Sequence, residues 1–309
     1  MEQLVTRLDK ARPVSGILTT VFDVLRQIAR PLLRTLLVTA GPYVALGALM
    51  VGLGFNNVFS SLQLISVDPS RTTSEVVARM LQDLVYWVIG MPILASATLV
   101  IYVVCQSYVI TYQQLGRVPT VDEAREGRVG AWGTALRLFG LTCLGFMICV
   151  AVIVSPLLVS QYLLIVSIPF GMFALMWGIV PVWIAFAACR AEGLSVIPGI
   201  RYSWQLVKGH WWFCIGVIVM ISIVQGLLGT ITNIAELTLL EIFAATGLQP
   251  DAMTTVGMYV VGGMMGLKLF VSAFLAALLH VGAVVTYYCL VERKEARSLS
   301  RSIDMLGQS

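Results

Sequence analysis

Five stretches of this chain contain no Asp, Glu, Lys or Arg: Thr35–Val67, Leu84–Gly116, Leu138–Cys189, Gly209–Ala235 and Leu269–Val291. A helix that crosses the hydrocarbon core of a bilayer needs roughly 20 mostly apolar residues, and every one of these runs is longer. Composition agrees. Of the 309 residues, 58% are hydrophobic and 12% charged, where soluble domains carry about 25% charged residues. The chain reads as an all-α polytopic integral membrane protein, one membrane domain over 1–309. Leu138–Cys189 is long enough for two spans, with a tight turn supplied by Ser155-Pro156 and Ser160-Gln161. Six transmembrane helices are expected, near 33–55, 84–110, 137–156, 162–188, 211–233 and 268–291, paired as three hairpins.

Lys and Arg decide the sides. Arg7, Lys10, Arg12, Arg26, Arg30 and Arg34 precede the first span, and Arg117, Arg125, Arg128 and Arg137 join the second to the third. Arg190, Arg201 and Lys208 join the fourth to the fifth, and Arg293, Lys294, Arg297 and Arg301 follow the sixth in a tail over 292–309. With six spans, 17 of the 20 cations fall on one side; Arg71, Arg79 and Lys268 fall on the other. Both termini are therefore expected in the cytoplasm. No cleavable signal is expected, because the first apolar run begins near Leu32 and Arg26, Arg30 and Arg34 interrupt what precedes it.

On the outer side, Thr72-x-x-Glu75 reads as a capping box that opens a helix running straight into the second span. Pro250-Asp251 starts another that runs to about Val291. Each has roughly 40 residues, about 60 Å at 1.5 Å per residue, and so protrudes from a ~30 Å core. Glu236–Ala245 is expected to fold back against the second, with Glu236 and Glu241 as partners for an interface-level Lys268.

"RYSWQLVKGHWW", Arg201–Trp212, interrupts the apolar chain with cations and aromatic rings. On a helix over 197–208, Arg201, Gln205 and Lys208 share one narrow face. Ile197, Ile200, Trp204 and Val207 flank it, and Tyr202 and Leu206 cover the back. This is the pattern of a helix at the membrane boundary. Pro198 suits its first turn, Gly209-His210 ends it, and Trp211-Trp212 open the next span at headgroup depth. Gly16–Arg30 repeats the plan: Thr19, Asp23, Arg26, Gln27 and Arg30 on one face, Ile17, Val21, Phe22, Leu25 and Ile28 on the other, and a break at Pro31. Pro119–Gly133 is a third version, with the capping box Thr120-x-x-Glu123 and a helix over 120–132. Each hairpin is thus preceded by a cytoplasmic-side interfacial helix, near 15–30, 120–132 and 197–208.

Glu192, Arg201, Ser203, Trp204, Leu206, Gly209 and Trp212, with the exit of the last span "YYCLVERKE" (Tyr287–Glu295), resemble bacterial proteins grouped with the glycerophosphoryl diester phosphodiesterase membrane domain. Cys289 stands where that pattern has an acidic residue. The layout covers nearly the whole chain and the specific motifs about thirty residues. The resemblance implies an architecture and a place in the bacterial cytoplasmic (inner) membrane. It implies no phosphodiesterase activity, because no soluble stretch here exceeds about 30 residues.

Chemistry is sparse. His210 and His280 are the two His, 70 residues apart, and no HExxH, GxSxG or P-loop occurs. Cys105, Cys143, Cys149, Cys189, Cys214 and Cys289 form no CxxC pair and lie in or beside apolar runs, as packing residues do. No enzyme activity, metal or cofactor is expected. His280 lies near mid-membrane, where it either relays a proton or contacts a ligand, or is a neutral His bonded to a neighbouring helix; His210 is an interface residue. Pro42, Pro92, Pro169 and Pro181 allow kinks, and Gly262-x-x-x-Gly266 and Ala273-x-x-x-Ala277 offer small-residue faces to a helix of this chain or another.

A net charge of +4 makes no case for nucleic acid. The partners expected are membrane lipids, above all anionic headgroups against a basic collar of Arg26, Arg30, Arg201, Lys208, Arg293 and Lys294, and another membrane protein or a second copy. The function expected is that of a non-enzymatic interaction, assembly or regulatory component. The alternative is a carrier or flippase for a lipid-like or apolar small molecule.

Overall fold

The computed structural model describes residues 8, 10–67, 73–155, 164–245 and 255–295, some helical stretches by their backbone alone. All regular structure among them is helical. The elements are α1 (Val14–Thr39), α2 (Gly41–Val67), α3 (Thr73–Leu115), α4 (Val121–Glu126), α5 (Ala131–Val154), α6 (Leu164–Ala191), α7 (Val196–Val207), α8 (Trp211–Ala245) and α9 (Thr255–Glu295). Val85–Leu115, Ala131–Ile153, Ser167–Ala191, Trp211–Ile234 and Gly263–Glu295 are each long and apolar enough to cross a membrane. Val14–Thr39 and Gly41–Gly54, bent by 59° at Ala40, make a sixth if the pair is one span. Leu144, Met147, Ile148 and Val152 of α5 are each more than half exposed. Such a surface requires an apolar surrounding, which identifies a membrane-embedded helical protein.

The chain forms two compact units. One contains Met1–Leu32, Tyr102–Ser222 and Leu278–Ser309; the other contains Leu33–Ile101 and Ile223–Ala277. In the second unit α2 and α3 approach closely at small residues: a Cβ on Gly47 would sit 3.0 Å from the Leu94 backbone nitrogen. Gly266 faces the Ala48 carbonyl at 3.1 Å from where its Cβ would be. The small-residue face at Gly266 therefore has its partner, α2, inside this chain. Gln225 Nε2 also donates to the Leu275 carbonyl at 2.7 Å, tying α8 to α9.

In the first unit α1 buries one stripe. Ile17, Val21, Val24 and Ile28 are fully enclosed, at the three- and four-residue spacing of a single helix face. Opposite them Thr19, Asp23, Arg26 and Arg30 are exposed. The two-faced pattern read at 15–30 is present, but this apolar stripe is covered by protein, and Phe22 lies on the exposed side. α5 and α6 run antiparallel. Ser167 Oγ donates to the Ile153 carbonyl at 3.1 Å near one end, and Arg190 Nη2 donates to the Gly127 carbonyl at 2.6 Å near the other.

Three expected boundaries change. The break expected at Pro31 lies at Ala40, and Pro31 is inside α1. A Pro there withdraws one backbone donor, yet Leu32, Thr35, Leu36 and Ala40 continue the buried stripe, so packing outweighs the lost bond. The interruption falls instead before Gly41-Pro42. There Pro occupies a first helical turn, whose N–H groups lack partners anyway. The helix expected over 120–132 ends at Glu126, and Gly130 takes φ 77° before α5 begins, a conformation a Gly adopts at low cost. Glu236–Ala245 does not fold back; it continues α8, since no Gly or Pro interrupts 230–245. The long helices expected on the other side are present as α3 and α9, of 43 and 41 residues. Thr72, the 156–163 turn, Pro250-Asp251 and the tail beyond Glu295 lie outside the described residues.

The Thr120 capping box forms as expected. Thr120 N–H donates to Glu123 Oε2 at 2.8 Å, and Glu123 N–H to Thr120 Oγ1 at 3.4 Å. Arg117 adds a bidentate pair on the same carboxylate. The Thr120 N–H first, then Arg117, hold the Glu123 carboxyl at about 2, below its ordinary 4.5. A depressed carboxyl contributes stability above its unfolded value and loses it as pH falls through the folded one. The side-chain carboxyl ¹³C resonance of Glu123 should therefore titrate near pH 2, with α4 intact at pH 4. A midpoint near 4.5 would mean that the box does not form in solution.

Candidate functional site

The elements of interest belong to the first unit, where α6, α7, α8 and α9 present their charged ends. α7 is an amphipathic twelve-residue helix. Val196, Gly199, Ser203, Leu206 and Val207 are buried, and all lie within about 100° of the helix circumference at 100° per residue. The remaining surface has two parts. Ile197 is 76% exposed and Trp204 40%; beside them Arg201, Gln205 and Lys208 form an exposed polar strip. Leu206 and Val207, expected on the back and flank, belong to the buried arc.

Close packing fixes α7. A Cβ on Gly199 would fall 2.1 Å from Cys189 Sγ, so any larger residue must displace that thiol for α7 to lie this near α6. Gly209, at φ 88°, then turns the chain into α8. Trp211 stacks on Trp177 of α6 with ring centroids 4.2 Å apart, and Trp204 meets Trp211 edge-on at 5.7 Å. Trp212 is 82% exposed. The aromatic residues of Arg201–Trp212 thus join three helices or face outward, as indole rings do at a membrane–water boundary.

The two stretches that carry the family resemblance meet here. Tyr287 OH donates to Glu192 Oε1 at 2.5 Å. Tyr202 OH donates to Glu295 Oε1 at 2.6 Å. Lys294 Nζ donates to the Gln205 carbonyl. Arg293 Nη2 donates to the Arg12 carbonyl, and its guanidinium lies 4.0 Å over the Phe213 ring. Cys289, fully buried, accepts from the Arg12 N–H at 3.3 Å through its sulfur. A carboxylate at 289 would need a cation in that space; the thiol binds the Arg12 backbone instead.

The expected collar residues therefore differ in their surroundings. Arg26, Arg30, Arg201 and Lys208 are exposed, with no side-chain hydrogen bond or ion pair among the described residues. Arg293 and Lys294 bind protein carbonyls. Lys268 is half-buried in α9.

Deeper in the same unit lies a polar junction that patterning alone did not single out. Gln106 of α3 is 0% exposed; Tyr102, one turn earlier, is its polar neighbour, and neither carboxamide atom completes a well-aligned hydrogen bond among the described residues. Both nitrogens of His280 in α9 and Nε1 of Trp183 in α6 are buried and unpartnered in the same way. Tyr102, one turn before Gln106 on α3, meets His280. Its ring stands edge-on to His280 at 5.2 Å and tilted to Phe186 at 5.0 Å. The inter-helix hydrogen bond considered for His280 is not formed among the described residues. Gln106 carries no charge and sits inside an apolar run, so only its burial marks it. Among the described residues, no group of three His, Cys, Asp or Glu is placed to hold a metal ion.

Comparison with protein-family models, curated proteins and solved structures found no match.

Proposed function

We propose that this chain is a non-enzymatic component of the bacterial cytoplasmic membrane that engages anionic lipid headgroups and serves interaction, assembly or regulation. In this proposal it crosses the membrane six times as three hairpins, both termini are cytoplasmic, and the charged end of the first unit lies at the inner leaflet. The observation that carries the lipid role is the exposed face of α7. Ile197 and Trp204 stand beside Arg201 and Lys208, and Trp212, in the first turn of α8, is exposed. Rings and aliphatic groups at acyl depth beside cations at phosphate depth make a surface that anionic bilayers attract. Arg26 and Arg30 are further exposed cations, on α1. Membership of the glycerophosphoryl diester phosphodiesterase membrane-domain group belongs to the same proposal. It is supported by contact between the two matching stretches through Tyr287–Glu192 and Tyr202–Glu295.

Charge reversal tests the lipid role. Arg201→Glu with Lys208→Glu should lower the total anionic lipid that co-purifies with the detergent-extracted protein by several-fold, because each cation near the surface is worth about 1 kcal/mol. The zwitterionic lipid retained should not change. Equal anionic lipid on variant and wild type in native mass spectrometry would sink the proposal.

A carrier or flippase is the alternative, favoured by the polar junction at Gln106 and His280. Unpaired polar groups within membrane-spanning helices are costly and mark ligand or ion contacts.

A further inference from the structure

Among the exposed cations outside the collar, Arg137 lies on α5 near its junction with α7. Arg137 is exposed and makes no hydrogen bond or ion pair among the described residues. It lines an open groove of about 700 Å³ together with Gly140 and Leu141 of α5, Ser195 at the N-cap of α7, and Ile197 and Pro198 of α7. The groove walls are apolar apart from the guanidinium and the Ser195 hydroxyl, and that hydroxyl is not used to cap α7.

Beyond the groove, the α5 face that carries Arg137 and Leu141 continues through Leu144 and Ile148. Arg137, Leu141, Leu144 and Ile148 are spaced by four, three and four residues, so they share one helix face. All four are exposed. A cation therefore tops an exposed apolar stripe about 16 Å long at 1.5 Å per residue. A second protein helix laid on this stripe would bury Arg137 against apolar side chains without a counter-charge, which is costly. A lipid with a phosphate at one end and a hydrocarbon chain at the other matches both parts.

We propose that the α5–α7 groove is a specific site for one anionic phospholipid. Its phosphate pairs with Arg137 and the Ser195 hydroxyl, and one acyl chain lies along Leu141, Leu144 and Ile148. This assignment rests on the lipid-engaging role proposed above and locates a tight site apart from the collar. Arg137 selects for the charge of the headgroup, and the stripe supplies affinity shared by any acyl chain.

The test is native mass spectrometry of the full-length protein in detergent, with phosphatidylglycerol or phosphatidylcholine added. Wild type should keep one phosphatidylglycerol at collision energies that strip the rest, and should keep phosphatidylcholine less well. Arg137→Gln should lower retention of that last lipid roughly tenfold, as the loss of one charge-assisted contact does. Gly140→Leu should lower it as well by filling the groove. A Cβ at Gly140 meets nothing within 4 Å, so this variant keeps the fold and decides the matter if Arg137→Gln aggregates. Retention equal to wild type in Gly140→Leu, or equal retention of the two lipids by wild type, overturns the proposal. The two lipid roles separate cleanly. If the groove variants match wild type while Arg201→Glu with Lys208→Glu loses lipid, the groove fails and the collar stands. If only the groove variants lose lipid, the groove stands and the collar fails.

Discussion

Replacing Gly199 by Leu should lower the melting temperature in detergent more than any other single change in α7. The Cβ alone would stand 2.1 Å from Cys189 Sγ, 3.5 Å from its Cβ and 3.6 Å from its Cα. The sulfur can turn away; the Cβ and Cα belong to the buried face of α6 and cannot. Alanine should therefore be absorbed in part, by displacing the thiol from the Ser195 carbonyl it faces at 3.8 Å. Leucine has no such route. Overpacking of this kind costs about 1–3 kcal/mol, with the upper end expected for a side chain this large.

The helix propensity gained on leaving Gly, about 1 kcal/mol, does not cover that cost. In the double variant Cys189→Ala, Gly199→Ala the obstructing sulfur is gone. The propensity gain then remains, and the melting temperature should return at least to that of wild type. A Gly199→Leu protein that melts with wild type would show that α7 does not pack on α6 in this way. With α7 displaced, Arg201 and Lys208 would lose their placement beside Trp204, so lipid retention should fall with stability.

Replacing Gln106 by Leu should act in the opposite direction on stability. The carboxamide is fully enclosed and completes no well-aligned hydrogen bond among the described residues, with Tyr102 as its polar neighbour, and a poorly satisfied buried polar group costs about 1–3 kcal/mol. Leucine has a similar size and no polar atoms, so the variant should melt at a higher temperature. Gln106→Ala separates the polar contribution from the volume, because it removes the carboxamide but leaves a space and should destabilise. If the junction contacts a transported molecule, Gln106→Leu would stabilise the protein while abolishing transport, the trade expected at a functional polar site. A lower melting temperature for Gln106→Leu would mean that the carboxamide has a partner in the folded protein and that the junction is structural.

Much of the architecture was legible because charge is so scarce. Every charge-free run contributes a long apolar helix, and the long α3 and α9 follow from the length of chain between punctuation marks. The capping box at Thr120 was legible because it is wholly local. The breaks were read less well. Pro31 and the 127–130 turn are local signals with opposite outcomes: one is overruled by a buried stripe that continues past it, while the other ends α4. In the candidate site, Arg201 and Lys208 were legible as exposed cations from helical periodicity. The commitments of Arg293 and Lys294 to backbone carbonyls of Arg12 and Gln205 were not, since those partners lie 281 and 89 residues away in the chain. Gln106 was invisible for a related reason. A neutral side chain in an apolar run leaves no mark on a charge map, and its burial appears only in the folded chain.

The sequence by itself determined that the chain is helical and membrane-embedded, which residues interrupt its apolar runs, and that Arg201–Trp212 is a two-faced helix leading into a span. These are properties of composition and of a 3.6-residue repeat, and they need no partner. Only the tertiary structure decided which face of that helix is covered, that Gly199 packs against Cys189, that Gly266 meets α2 within this chain, and which cations remain exposed. Each of these depends on contacts between segments far apart in the chain, and no local pattern encodes the distance between two such segments.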